Sequence, residues 1–104
     1  MAWIILIAAG LLEVVWAYYL KQSHGFTRLV PSLVTLVTAS GSFFLLAVAM
    51  RSLPLGTAYM IWTGIGAIGA FTVGVLVMGE PASTTRLAAA CLILSGLVLM
   101  KLSV

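Results

Sequence analysis

Charge is the scarcest ingredient of this chain. Five Lys and Arg and two acids make up 7% of its 104 residues, where a soluble domain carries about 25%. That shortage excludes an ordinary water-soluble domain. The basic residues stand singly between apolar runs, so the formal net charge of +3 is no nucleic-acid-binding patch. The single cysteine, Cys91, excludes an intrachain disulfide or a cysteine metal cluster. Set in an apolar run, it is expected to be a small packing residue. No grouping of nucleophile, base and oxyanion donors is present, nor any set of metal ligands, so neither an enzyme nor a bound cofactor is expected. No basic stretch precedes the first apolar run, and an acid falls inside it, so a cleaved leader is not expected.

Apolar residues are abundant instead: 63% of the chain, with a mean hydropathy of +1.27. They fall into four segments, about 2–20, 29–50, 55–78 and 84–102, divided by breaks too short for a soluble domain. Each segment is long enough to span a bilayer. The expectation is an all-α integral membrane protein, one four-helix domain over residues 1–104 without linkers. Pro31 suits the first turn of the second helix, where its missing N–H has no partner to lose. Ser83 or Thr84 is placed to cap the fourth.

The first segment, MAWIILIAAGLLEVVWAYYL, carries a carboxylate, Glu13, near or somewhat past mid-depth. A charge there costs about 2.5–3.5 kcal/mol on insertion scales. Such a carboxylate is protonated, paired or functional. Gly10 and Trp16 lie three residues to either side of it, so one helical stripe reads small, acid, aromatic. In the third segment Tyr59, Trp62, Thr63 and Gly66 share a face. Tyr59 and Trp62 read either as an interfacial aromatic belt or as part of a site. Gly64, Gly66 and Gly69 leave a bare surface for close helix approach, or room to bend. In the second segment Thr35, Thr38 and Ser42 line one side, bonding back to their own helix or, for Ser42, donating to Glu13 or a ligand. In the fourth, Ala89, Leu92 and Gly96 form a small-residue seam suited to helix–helix association, and Lys101 is expected to snorkel to the interface. His24 and Glu80 read as solvated residues at the membrane edge.

Orientation is nearly unbiased. With four spans, Arg51 and Lys101 lie on one side, and Lys21, Arg28 and Arg86 on the other. Two against three gives the positive-inside rule little to act on. Two oppositely inserted copies are then expected to form an antiparallel dimer, whose eight helices would enclose a water-accessible path that four hardly can.

The motifs G-x-x-E-x-x-W around Glu13 and A-Y-x-x-W-T-G-I-G from Ala58 to Gly66, in a chain of four spans, resemble the small multidrug resistance family. WIILIAAGLLEVVWA, HGFTRL, LPLGTAYMIWTGIGA and GEP resemble its guanidinium-exporting subtype. The resemblance runs over essentially the whole chain. It implies an antiparallel homodimer in the bacterial inner membrane that exchanges protons for guanidinium-type cations. Glu13 would be the shared proton and substrate site, Ser42, Tyr59 and Trp62 its hydrogen-bonding neighbours, and Trp16 and Gly10 the cavity lining. Met60, Ala39-Ser40-Gly41 and the Tyr18-Tyr19 pair depart from the family's usual residues. The smaller residues on the second helix would open a side portal toward lipid.

Three other readings are weighed by the residues. Export of quaternary ammonium or aromatic cations is the family's other subtype. A subunit of a paired heterodimer suits the near-zero charge bias less well than self-pairing. A non-transporting membrane assembly subunit needs no acid at mid-depth, so Glu13 argues against it.

Overall fold

The computed structural model describes residues 1–103; Val104, the last residue of the expected domain, lies outside the described residues. Four helices follow one another: α1 Ala2–Gln22, α2 Leu29–Ala49, α3 Leu55–Leu76 and α4 Thr84–Leu102. All four are long and apolar enough to cross a membrane. The helical state follows from the solvent: in hydrocarbon no water can satisfy backbone N–H and C=O groups, and a helix satisfies them internally.

The connections end the helices with identifiable chemistry. α1 runs two residues past its expected end at Leu20, because Lys21 and Gln22 continue the last turn. Ser23 then closes it: its N–H donates to Tyr19 O at 2.9 Å and its hydroxyl to Leu20 O at 2.7 Å. The same hydroxyl accepts from Phe26 N–H at 3.1 Å. This buried serine holds His24, Gly25 and Phe26 in left-handed conformations, with φ of 49°, 72° and 66°. α3 stops at Leu76, two residues before the expected Met78. Gly79, at φ 71°, turns the chain so that Glu80 N–H reaches Gly74 O at 2.9 Å. Of the two candidate caps of α4, Ser83 takes the role, its hydroxyl accepting from Arg86 N–H at 3.2 Å.

The helices lie side by side in the order α2, α1, α3, α4, a slab of 40 × 34 × 16 Å. α1 packs against both α2 and α3, whereas the backbone of α4 approaches α3 alone. The buried core is accordingly off-centre: Leu6 and Ala9 of α1, Leu46 and Ala49 of α2, and Ala58, Ile61 and Trp62 of α3. None of the α4 residues is buried. Cys91, expected to pack, is exposed on α4, whose backbone approaches only α3.

At the edges, charged side chains find partners. Glu80, expected to be solvated, pairs with Arg86 at 3.5 Å, and Arg86 also stands 5.4 Å from the centre of the Phe71 ring. Lys101 Nζ lies 4.6 Å over the Trp3 ring, linking the ends of α4 and α1. His24 is exposed.

Candidate functional site

Glu13 is the twelfth residue of the 21-residue α1, so its carboxyl group stands deep within a span. It fits there because α3 offers a notch: a methyl group on Gly66 would fall on the Glu13 carboxyl. Gly69 admits Val14 in the same way, while Gly10 on α1 receives Ile65, whose Cγ2 would lie 2.7 Å from an added Cβ. Gly64 points elsewhere and admits Leu97 of α4. The glycines of α3 thus serve close approach by side chains of two different neighbours. Gly10, expected to line a cavity, is buried against Ile65, which the missing side chain lets approach α1 closely.

Two polar atoms are sealed off here without a hydrogen-bond partner, Glu13 Oε1 and Trp16 Nε1. They lie one turn apart on α1. An unsatisfied buried group costs about 1–3 kcal/mol, and these two offer one acceptor and one donor to a ligand, a proton or a second subunit.

Ser42 has a different partner from those expected. Its hydroxyl donates to Ala9 O of α1 at 2.7 Å, and it accepts from the indole N–H of Trp62 at 2.9 Å. Ser42 is fully buried and Trp62 is 5% exposed. One hydroxyl therefore joins three helices, a turn away from Glu13, with its only proton committed to a carbonyl. Its companions on α2 do bond back to their own helix: Thr35 to Pro31 O at 2.8 Å and Thr38 to Val34 O at 2.7 Å. Thr63 likewise bonds to Tyr59 O at 2.8 Å. The difference is that Ser42 faces α1 at the buried Ala9, whose small methyl side chain leaves its carbonyl within reach.

An aromatic row extends from this clamp. Ring centres run from Trp16 to Phe43 at 6.2 Å, Phe43 to Trp62 at 5.5 Å and Trp62 to Tyr59 at 5.5 Å, all tilted. Burial and the bond to Ser42 remove Trp62 from any interfacial belt, while Tyr59 is 51% exposed. Phe43 and the Ala9 carbonyl were not singled out from sequence. Phe43 flanks the buried stripe of α2, a placement that helical spacing from Ser42 could have shown; a backbone carbonyl leaves no sequence signal.

The α4 seam stands open. Leu92 is 74% exposed, Ala89 is exposed, and a Cβ on Gly96 would meet nothing within 4 Å. It is separate from the Glu13 notch.

The family model described as Small Multidrug Resistance protein matches residues 1–93. A curated relative named Guanidinium exporter, from Yersinia pseudotuberculosis serotype I, is 58% identical over 103 residues, covering 99% of each chain. Relatives of the same name from Escherichia coli K12 and Citrobacter freundii are 56% and 55% identical over 103 residues, covering 99% of this chain and 98% of theirs.

Proposed function

This chain belongs to the small multidrug resistance family, and on that footing we propose that it exports guanidinium and small substituted guanidinium ions from a bacterial cell across the inner membrane in exchange for protons. The working unit in this reading is an antiparallel homodimer, and the two Glu13 carboxylates hold either the cation or protons. The observation that carries the proposal is the unpartnered Glu13 Oε1, sealed within the membrane-spanning part of the chain beside the equally unpartnered Trp16 N–H. The names of relatives at 55–58% identity favour guanidinium as the cargo.

Guanidinium is planar, and its N–H fork matches carboxylate oxygens two at a time. Aromatic faces attract the cation further, and the row from Trp16 through Phe43 to Tyr59 supplies them. Protons and cation need the same carboxylate oxygens, so each displaces the other. If only loaded dimers reorient, an inward proton gradient drives the cation out. An antiparallel pair supplies two equivalent states by exchanging the roles of its subunits, and the open α4 seam of Ala89, Leu92 and Gly96 offers a surface for pairing.

Liposomes holding purified protein and an imposed proton gradient test the reading, given guanidinium, an alkylguanidinium, a tetraalkylammonium ion and a planar dye. Guanidinium should be driven uphill, and Glu13→Gln should abolish this. Faster movement of the tetraalkylammonium ion or the dye would favour the multidrug reading, and uphill guanidinium transport by Glu13→Gln would sink the shared site. A cysteine at position 22, in a Cys91→Ser background, should label from both sides of the membrane. Labelling from one side alone contradicts the antiparallel dimer.

A further inference from the structure

α4 has two faces, and only one of them carries the seam. Val98 follows Gly96 by two residues, about 200° around the helix, and so looks the opposite way. On that opposite side a groove of about 360 Å³ opens between α1, α3 and α4. Its walls are Ile7, Ile61, Ile65 and Val98, and its mouth is formed by Trp3 and Lys101. The mouth coincides with the first turn of α1 and the last turn of α4, hence with one edge of the membrane. From Trp3 to Ile7 it descends one helical turn, about 6 Å, into the apolar region.

Among the described residues that line the groove, only Lys101 is charged. Lys101 Nζ is held at the mouth by the Trp3 ring at 4.6 Å, a contact that fixes the charge without neutralising it. The chain's two acids lie elsewhere: Glu80 pairs with Arg86 at 3.5 Å, and Glu13 stands in the Gly66 notch. Arg51, in the connection between α2 and α3, adds positive charge on the same side of the membrane. An apolar trench descending from a fixed cation, with an interfacial tryptophan at its lip, matches an acyl chain beneath an anionic headgroup.

We propose that this groove binds one anionic phospholipid, with an acyl chain lying along Ile7, Ile61 and Val98 and the headgroup phosphate paired with Lys101. None of Glu13, Ala89, Leu92 and Gly96 lines this groove, so pairing of two copies through the α4 seam is expected to leave it open. Lys101 thus has a ligand as well as a position at the interface.

The test uses full-length purified protein, delipidated in a neutral detergent and mixed with equal amounts of phosphatidylglycerol and phosphatidylcholine of identical acyl chains. Native mass spectrometry then counts the lipid retained. Wild type should keep phosphatidylglycerol over phosphatidylcholine by about fivefold, the effect of one basic side chain at a membrane surface. Lys101→Gln should bring the ratio to near one, and Lys101→Arg should keep it. Val98→Trp, which fills the groove, should lose both lipids; the Lys101 pair decides the matter if that variant fails to fold. Equal retention of the two lipids by wild type, or an unchanged preference in Lys101→Gln, overturns the proposal. So does full lipid retention by a folded Val98→Trp.

Discussion

Gly66 on α3 and Gly96 on α4 look alike in the sequence, each a small residue in an apolar helix, yet their surroundings are opposite. A Cβ on Gly66 would land on the Glu13 carboxyl, whereas one on Gly96 would meet nothing within 4 Å. The same contrast runs through both regions. Where α1, α2 and α3 meet, Ser42 is fully buried and Trp62 is 5% exposed, while α4 buries no residue. A small residue in a membrane helix therefore signals close approach without saying whether the neighbour belongs to the same chain. Filled notches mark surfaces completed within one chain; open ones mark surfaces left for lipid or another copy.

The largest effect should come from filling the filled notch. Gly66→Ala overpacks it by a methyl group, costing about 1–3 kcal/mol and displacing the carboxyl, so guanidinium transport should fall about tenfold or more. A transport rate near that of wild type would show that Glu13 moves aside freely. Next is Ser42→Ala, which leaves the Trp62 N–H buried without an acceptor. It should lower stability in detergent by about 1–3 kcal/mol. Unchanged stability would mean that the three-helix clamp contributes little. Gly96→Leu should leave the packing within one chain unchanged to about 0.5 kcal/mol. It should still weaken self-association several-fold by crosslinking; undiminished dimer would remove the seam from the interface. Smallest is Tyr59→Phe, where one exposed hydroxyl is lost and cation affinity should drop about twofold. No change there would leave Tyr59 as a ring at the end of the row.

Much of this arrangement was legible in the residues. Four apolar runs and their breaks indicate four helices because hydrocarbon admits no other open-chain structure. Glu13 stands out because a carboxylate in such a run is costly, and the spacing of Tyr59 and Trp62 places them on one face. What the sequence withheld depends on which helix each face meets. Helical spacing treats Thr35, Thr38 and Ser42 alike, but only Ser42 stands opposite Ala9 and bonds across. Helical spacing sets Gly10 on the Glu13 stripe but does not show that Ile65 of α3 packs onto it. The end of α1 lies two residues beyond the apolar run because Lys21 and Gln22 are good helix formers even though polar, and that of α3 two residues short of it, ahead of the turn at Gly79.

Competition of protons and cation for Glu13 is the heart of the proposed mechanism. Adding guanidinium to detergent-solubilised protein in weak buffer measures that competition directly, since a shared site obliges each ligand to expel the other. Wild type should release protons on binding, its apparent cation affinity should fall as pH is lowered, and Glu13→Gln should release none. Guanidinium binding with no proton release anywhere between about pH 5 and 9, or equal release from Glu13→Gln, would contradict it.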